Sequence, residues 1–252
     1  MYDEFHKFFQ EEVLEIRKLD HKGNNQIFEV NTSNRNYLLK KYSTIQKDGW
    51  NRGKSEFKAL SFLSKKGFNV PKSFAYFEDE HIGIYSFENG IIIKPEEIKE
   101  EDVQELARFL ARLHRLSIEE KNQFPPERTA CFSVSDYINL IKSRYNNLID
   151  DFSGGKDEKD FLEKEVLPKI NELERETIKK YPFFERKLSI NEQVLTRGDV
   201  AFNNVLIDDS SNPRKYCVID FEYFGRDDPA RPILDFFHHA QTNEISKSLK
   251  AI

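Results

Sequence analysis

Residues 196–208 have the sequence TRGDVAFNNVLID, and residues 216–222 have the sequence YCVIDFE. The first segment places Asp199 five residues before Asn204, and in the second an apolar run ends at Asp220. Phosphoryl transfer from a nucleotide uses these groups, because one carboxylate orients the acceptor hydroxyl and takes its proton. An amide oxygen and a second carboxylate then hold Mg²⁺ against the phosphates. The spacing therefore predicts Asp199 as the catalytic base, with Asn204 and Asp220 as metal ligands.

Length and composition are those of a globular protein with one large domain or two lobes. Of the 252 residues 38% are hydrophobic, and 22 Phe and 10 Tyr supply ample core material. The net charge of −5 argues against nucleic acid or an anionic membrane as the main partner. The two cysteines are too few for a disulfide framework. Since neither an apolar signal segment nor a membrane-spanning run is present, we expect a cytoplasmic protein.

The hydrophobic periodicity divides the chain into a strand-rich first third and a mostly helical remainder. In the first third, one helix is predicted over residues 54–66, and strands are predicted over residues 26–30, 36–42, 74–77 and 81–87. Further helices are predicted over residues 102–116, 133–149 and 157–180. We therefore predict an α+β fold with a small N-terminal lobe over residues 1–87 and a larger helical lobe over residues 88–252. Ligands commonly bind in the cleft between two such lobes.

Three linked motifs resemble the aminoglycoside phosphotransferase and choline kinase superfamily, which has a protein-kinase-like two-lobe fold. The family pattern H-G-D-x-x-x-x-N matches residues 197–204, I-D-[FW] matches residues 219–221, and D-P matches residues 228–229. A lone G-D-x-x-x-x-N would be a weak signal, but three motifs in the family's order are a strong one. Arg197 stands where the family has His, and Glu222 stands where protein kinases have Gly.

The same resemblance implies a nucleotide site in the first third of the chain. A loop over residues 22–28 resembles the family's nucleotide-covering loop, and Lys40 resembles the strand lysine that contacts the phosphates, with Lys41 as the fallback. Glu56 matches the helix glutamate that pairs with this lysine. An ordinary solvated lysine and a surface glutamate are the alternative explanation. The residues implied in nucleotide binding are Gly23, Asn25, Lys40, Glu56, Ser86, Phe87 and Glu88.

The activity implied by the resemblance is transfer of the γ-phosphoryl group of ATP or GTP, with Mg²⁺, to a hydroxyl of a sugar, amino sugar or amino alcohol. Glu222 and Asp227 are candidate substrate residues that, with Asp228, suit a cationic acceptor, and uncharged sugars are also compatible. A structural role at the start of a helix is the favoured alternative for Asp227 and Asp228. A protein kinase is disfavoured, because Asp228 follows Asp220 too closely to leave room for an activation segment. A catalytically silent nucleotide-binding protein remains the third alternative. For Asp199, the structural alternative is a turn residue.

Overall fold

The computed structural model describes residues 9, 11–20, 23–43, 49–210 and 212–239. Its strands are β1 (Val13–Leu19), β2 (Gln26–Thr32), β3 (Asn36–Lys41), β4 (Ser73–Phe77), β5 (Ile82–Ser86), β6 (Val194–Thr196), β7 (Val205–Asp208), β8 (Lys215–Val218) and β9 (Gly225–Asp227). Its helices are α1 (Arg52–Lys65), α2 (Glu100–His114), α3 (Ile118–Lys121), α4 (Val134–Asp150), α5 (Lys156–Phe161), α6 (Leu167–Lys180) and α7 (Ala230–His238). The predicted strand-rich first third and helical remainder are confirmed.

Five antiparallel strands form the sheet of the first third, in the order β1-β2-β3-β5-β4. Side chains alternate between the two faces of a strand, so Tyr37 and Leu39 of β3 enter one buried apolar cluster. Leu38 and Lys40 share the opposite face and line a cleft beneath the sheet. The alternation along β3 therefore places Lys40 at the cleft and leaves Lys41 exposed on the other face.

Helix α1 follows the third strand and carries Glu56 toward the same cleft. The side chain of Asn51 caps the helix by accepting a hydrogen bond of 2.9 Å from the backbone N–H of Lys54. Leu60 and Leu63 of α1 pack in one apolar cluster with Leu113 of α2 and with aromatic residues near Asp220. The core is therefore continuous between the sheet and the helical part, and it fixes Glu56 against the segment that contains Asp220.

Gly90 brings the segment after β5 close to the β7–β8 hairpin. Its φ of 144° lies in a region that side-chain-bearing residues rarely adopt. A Cβ at this position would lie 3.1 Å from the Cβ of Leu206 and 3.2 Å from the backbone of Ile207. The adjacent residue Ile91 forms an antiparallel bridge to Ile207. The connection between the two parts is thus held against the hairpin that lies between Asn204 and Asp220.

The helix predicted over residues 157–180 is interrupted in the structure. Helix α5 passes into a π-helical segment, Leu162–Val166, before α6 begins at Leu167. Pro168 lies in the first turn of α6 and has no backbone N–H, so the hydrogen bond expected from residue 168 to the carbonyl of residue 164 cannot form. The apolar pattern continues through this point, which explains why periodicity alone predicts one helix.

The predicted boundary at residues 87 and 88 falls directly after β5, where the chain leaves the sheet. Its status as a domain boundary stays a prediction. In the described part of the chain, no helix combines the length and the apolar character needed to cross a bilayer. The cytoplasmic location also stays a prediction.

Candidate active site

Asp199 and Asn204 lie on either side of a short loop that leads into β7. Gly198 has a φ of 89°, which turns the chain sharply after β6 and directs it past Asp199. Asn204 ends a 3₁₀ turn, Phe202–Asn204, immediately before β7. Its Nδ2 donates a hydrogen bond of 3.2 Å to Oδ2 of Asp199. The structure therefore brings the predicted base and one predicted metal ligand into direct contact.

Arg197 lies beneath this loop with only 1% of its surface exposed. Its Nε donates to the backbone oxygen of Asp199 at 2.8 Å, and its Nη1 donates to those of Asn204 at 3.1 Å and Ile219 at 2.8 Å. Burial lowers the pKa of this guanidinium, and the carboxylates of Asp220 and Asp199 oppose that effect. One side chain therefore ties the loop of the predicted base to the strand that leads to Asp220.

The Arg197→Met variant is expected to lose about 2–4 kcal/mol of unfolding free energy, because three backbone carbonyl oxygens lose the buried guanidinium that donates to them. Urea unfolding measures this loss, and Arg175→Met, at an exposed position of α6, is the control. Equal midpoints for the two variants would contradict the anchoring role of Arg197.

Lys40 forms a buried ion-pair cluster at the base of the cleft. Its Nζ lies 2.7 Å from Oε2 of Glu56 and 2.8 Å from Oδ1 of Asp220. Burial alone would lower the pKa of Lys40, but the negative charges of Asp220, Glu56 and Glu222 outweigh it and raise that pKa. Lys40 therefore stays protonated and links Glu56 to Asp220.

Asp220 has a left-handed backbone with a φ of 65°, which is uncommon for a residue other than glycine. Such a conformation costs about 1–2 kcal/mol relative to the ordinary one. Strained residues of this kind persist where the surroundings hold them, often at functional sites. Here the ion pair to Lys40 and the backbone hydrogen bond from Phe221 to Oε1 of Glu56, at 3.2 Å, hold the segment.

Two tyrosines that sequence reasoning missed complete the surroundings of Glu56. The hydroxyl of Tyr42 donates to Oε2 of Glu56 at 2.7 Å, and the hydroxyls of Tyr42 and Tyr85 are 2.7 Å apart. Burial, with the nearby charge of Glu56, raises the pKa of both phenols. No local sequence signal identifies them, because Tyr42 follows β3, Tyr85 lies on β5, and the two meet only in the folded chain.

The Lys40 cleft has a volume of about 270 Å³ and lies between the sheet and the β7–β8 hairpin. Apolar side chains, among them Ile27, Leu38 and Leu206, form much of its wall. Seven of the residues predicted to bind nucleotide or metal line it: Lys40, Glu56, Ser86, Phe87, Glu88, Asn204 and Asp220. A cavity with an apolar wall and a charged base fits a nucleotide, whose base is flat and whose phosphates are charged.

The predicted covering loop is only partly described, since residue 22 lies outside the described residues. Gly23 is exposed and does not line the Lys40 cleft. Asn25 reaches across to the hairpin side, where its Nδ2 donates to Oε2 of Glu222 at 2.9 Å. Its Oδ1 accepts a hydrogen bond of 3.2 Å from the backbone of Ser43. The structure thus places Asn25 in a contact between the loop and the Asp220 segment.

Glu222, a predicted substrate residue, is buried among cations and amide groups. Its Oε1 lies 3.4 Å from Nη1 of Arg52, and its Oε2 lies 3.9 Å from Nζ of Lys40. The backbone oxygen of Glu222 accepts a hydrogen bond of 2.8 Å from the indole of Trp50. Burial raises the pKa of this carboxyl, although Lys40 opposes the rise. Sequence reasoning missed Trp50, which precedes α1, and Arg52, which begins it. Both residues meet Glu222 only through tertiary packing.

A second cavity of about 380 Å³ opens beside Asp199, and we call it the Asp199 cavity. Polar and charged side chains form most of its wall. It is lined by Glu127, Arg128, Thr129, Arg144, Gly198, Asp199, Tyr223, Arg231, Asp235, His238 and His239. Nε2 of His239 lies 3.6 Å from Oδ1 of Asp199. Asp199 therefore faces a space large enough for a small organic molecule.

Asp227, the other predicted substrate residue, is 1% exposed and does not line either cavity. Its Oδ1 accepts hydrogen bonds of 2.8 Å from the backbone N–H groups of Cys131 and Asp228. These contacts join β9 to the segment before α4 and support a structural role. Direct substrate contacts by Glu222 and Asp227 stay predictions.

The burial of Asp227 gives a pH-dependent contribution to stability. Burial raises the pKa of its carboxyl from 3.8 to about 6, against the two backbone hydrogen bonds. Because the folded state binds this proton more tightly than the unfolded state, the carboxyl lowers the free energy of unfolding as pH rises from about 4 to about 6. The Asp227→Asn variant should lack this decrease, so its stability relative to wild type should increase across that window. Urea unfolding at several pH values measures the difference, and parallel curves would refute it.

Asp220 and Asn204 are suited to hold Mg²⁺. Both line the Lys40 cleft, and the amide nitrogen of Asn204 is turned toward Asp199. Mg²⁺ prefers oxygen ligands and is commonly held by one or two protein groups together with substrate phosphates. Within the described residues no group of three or more His, Cys, Asp or Glu side chains is arranged around a metal position. The donor set therefore fits an ion that arrives with a nucleotide.

Comparison with solved structures identifies the fold. Choline kinase LicA from Streptococcus pneumoniae superposes with a TM-score of 0.65 at 16% identity, covering 99% of this chain and 75% of that chain. The gentamicin complex of APH(2")-IIa gives a TM-score of 0.67 at 19% identity, with 99% and 77% covered. Spectinomycin phosphotransferase APH(9)-Ia, in complex with ADP and spectinomycin, gives 0.63 at 13% identity, with 99% and 76% covered. The predicted kinase-like fold is confirmed.

A comparison with proteins of curated function finds no match. The sequence model of the phosphotransferase enzyme family, APH, matches residues 15–242, which include most of β1, the residues that line the Lys40 cleft and the Asp199 cavity, and all of α7. The match thus covers most of the chain and every motif on which the resemblance depends. This chain is a phosphotransferase, and it belongs to the phosphotransferase enzyme family.

Proposed function

We propose that the protein is a small-molecule kinase that transfers the γ-phosphoryl group of ATP to a hydroxyl group of a sugar-like acceptor. The observation that carries the proposal is the convergence of Asp199, Asn204 and Asp220 at the junction of two cavities. Asn204 contacts Asp199 and lines the Lys40 cleft, while Asp199 lines the Asp199 cavity. Nucleotide and acceptor would therefore meet at this pair of side chains.

On the nucleotide side, the protein supplies the positive charge of Lys40 and a cleft with a largely apolar wall. Lys40, oriented by Glu56, is placed to contact phosphate oxygens, and its protonated state suits that role. Residues 86–88 comprise the last residue of β5 and the two that follow it, and they lie at the edge of the Lys40 cleft, where backbone groups can meet a nucleotide base. The ADP complex of APH(9)-Ia, a protein of the same fold, supports a nucleotide as donor. We include GTP as an alternative donor.

On the acceptor side, Asp199 would accept a hydrogen bond from the attacking hydroxyl and take its proton. The acceptor oxygen forms a bond to the γ-phosphorus while the bond to the β–γ bridging oxygen breaks, and ADP leaves. Mg²⁺, held by Asp220 and Asn204, would supply charge that offsets the negative charge on the phosphates. Arg197 does not touch the substrates and positions the loop through its backbone oxygens.

A protein kinase is the main alternative, and the segment after Asp220 argues against it. Strand β9 and the start of α7 follow within ten residues, so no extended peptide-docking segment separates them. A silent nucleotide-binding protein has no use for a base that faces a separate cavity. The fold-related proteins include a choline kinase, a spectinomycin phosphotransferase and a macrolide 2'-phosphotransferase, all named for small acceptors.

The proposal is tested by measuring ADP release from ATP or GTP with panels of sugars, amino sugars, amino alcohols and peptides. We expect turnover that depends on Mg²⁺ and on a small hydroxylated acceptor. Labelling of peptides would favour the protein kinase, and nucleotide binding without turnover would favour the silent protein. If Asp220→Asn retained normal Mg²⁺-dependent turnover, the metal assignment would be wrong.

A further inference from the structure

The charges around the Asp199 cavity are not equally available to a ligand. Three carboxylates line it, belonging to Glu127, Asp199 and Asp235, and three guanidinium groups line it, belonging to Arg128, Arg144 and Arg231. Most of these groups are engaged by neighbours. The charge of the acceptor that this cavity can bind depends on which side-chain charges remain available to it.

Two of the carboxylates are occupied by protein groups. Oδ1 of Asp235 lies 3.4 Å from Nε of Arg231, whose Nη2 also donates to the hydroxyl of Thr129 at 3.0 Å. Oε2 of Glu127 accepts hydrogen bonds from the backbone N–H of Thr129 at 2.6 Å and from its hydroxyl at 3.0 Å. Burial raises the pKa of both carboxyls, which disfavours their charged forms. Each of these two carboxylates is therefore already engaged through one oxygen, which makes it a weaker partner for an ammonium than an unengaged carboxylate.

The carboxylates that suggested a cationic acceptor also lie elsewhere. Glu222 contacts Arg52, Lys40 and Asn25, and Asp227 binds two backbone N–H groups beneath the surface. Neither lines the Asp199 cavity. Of the three carboxylates that the described residues place at this cavity, that of Asp199 is the most exposed, with 51% of its side chain accessible against 31% for Asp235.

Arg144 is the matching positive group. It lies in α4, is exposed, and lines the Asp199 cavity on the side of Asp235, whose pKa its charge lowers against the larger effect of burial. Among the described residues, Arg144 makes no hydrogen bond, ion pair or ring contact. Arg128 adds a second positive charge at the same wall, 5.5 Å from the ring centroid of Tyr223. A guanidinium with five donors and no partner is suited to bind a carboxylate or a phosphate.

We propose that the acceptor carries an anionic group, a carboxylate or a phosphate ester, which Arg144 binds while the reacting hydroxyl faces Asp199. The inference rests on the proposed kinase function and narrows its acceptor to hydroxy acids, sugar acids or sugar phosphates. The volume of about 380 Å³ accommodates a molecule of that size. Arg144 is thus a specificity residue: it selects the acceptor by charge and takes no part in proton transfer.

Two sets of acceptors with matched skeletons test the proposal. One set comprises glucuronic acid, glucose 6-phosphate, glucose and glucosamine, and the other comprises glycerate, glycerol 3-phosphate, glycerol and serinol. In each set the carboxylate or phosphate member should have a kcat/KM at least about tenfold above that of the uncharged and ammonium members, as expected for charge-assisted hydrogen bonds. Comparing the carboxylate and phosphate members distinguishes the two anionic classes.

The Arg144→Gln variant should remove this preference through KM, with a loss about tenfold larger for the anionic members than for the uncharged ones. Lys142→Gln is the matched control, because Lys142 lies on the same helix, pairs with Glu174 at 2.6 Å and does not line the cavity. A preference for uncharged or ammonium acceptors, or an equal loss for all members in Arg144→Gln, would overturn the proposal. Either result would leave the kinase function intact, since turnover itself persists.

A binding measurement covers the case in which none of these acceptors is phosphorylated. The probes are glycerate and inorganic phosphate, added to protein already saturated with Mg²⁺ and a non-hydrolysable ATP analogue, so that the Lys40 cleft is filled. The probes should raise the Tm of wild type and of Lys142→Gln but not of Arg144→Gln. Stabilisation that is absent, or that persists in Arg144→Gln, would overturn the proposal. Failure of the ATP analogue to bind would instead refute the proposed function.

Discussion

Replacement of Asp199 by Asn should lower kcat by about 10²–10⁴-fold, the usual contribution of a positioned general base. The amide keeps the shape of the side chain but cannot take a proton from the acceptor. Nucleotide affinity should change little, because Asp199 lines the Asp199 cavity and not the Lys40 cleft. Acceptor-dependent ADP release measures kcat, and equilibrium titration with ADP measures affinity.

Asp150→Asn is the control for this experiment, since Asp150 lies exposed at the end of α4 and carries the same chemical change. The assignment of Asp199 as the base is incorrect if Asp199→Asn keeps more than about a tenth of wild-type kcat at saturating acceptor. A loss of ADP affinity equal to the loss of kcat would point to collapse of the loop instead.

The second large effect is expected for Lys40→Met, which removes a buried cation from three carboxylates. Breaking a buried ion pair from one side costs about 3–5 kcal/mol, because the remaining charges lose their compensation. Nucleotide affinity should fall by about tenfold or more, since charge-assisted contacts to phosphate are lost. Urea unfolding measures the first effect, and titration with ADP measures the second.

Lys41→Met is a closely matched control, because Lys41 is the next residue of β3 and is exposed on the opposite face. It should leave unfolding and nucleotide binding near their wild-type values. If Lys41→Met instead reduced ADP binding more than Lys40→Met, the neighbouring lysine would be the phosphate ligand. Glu56→Gln should reproduce part of the Lys40→Met effect, since Glu56 orients Lys40 at 2.7 Å.

Much of the site was predictable from local sequence order. The spacing from Asp199 to Asn204 fixes both residues on one short loop, and the apolar run before Asp220 fixes it at a strand end. The period of two along β3 distinguishes Lys40 from Lys41, because only one of the two shares a face with Leu38. These signals depend on neighbours within a few residues. Over that range the backbone geometry determines the direction in which each side chain points.

The partners of the predicted residues were not predictable in the same way. Asn25 and Glu222 are 197 residues apart in sequence yet form a hydrogen bond, and no periodic pattern connects them. The acidic residues near Asp220 suggested a negatively charged site for a cationic acceptor, but packing directs Glu222 toward Arg52 and Lys40. Arg144 lies on a helix whose apolar pattern shows which face is buried and says nothing about what its polar face approaches.

The same reasoning applies to Arg197. Its sequence position suggested only a departure from the family's histidine, whereas its hydrogen bonds to three backbone carbonyl oxygens show what a long, branched cation does there. Every residue has a backbone oxygen. A side chain that donates to backbone oxygens therefore has no partner of a particular residue type that the sequence could reveal. Only the folded chain shows that residues 197, 204 and 219 form one anchoring unit.

This unit restricts how the enzyme can be re-engineered. A chimera that takes residues 197–204 from a histidine-bearing relative would remove the guanidinium that donates to the peptide oxygen of Ile219, which lies outside the exchanged loop. Successful loop exchange must therefore transplant the segment after β8 together with the loop before β7. The loop and the segment after β8 therefore have to be exchanged together, although fourteen residues separate Asn204 from Ile219 in the printed sequence.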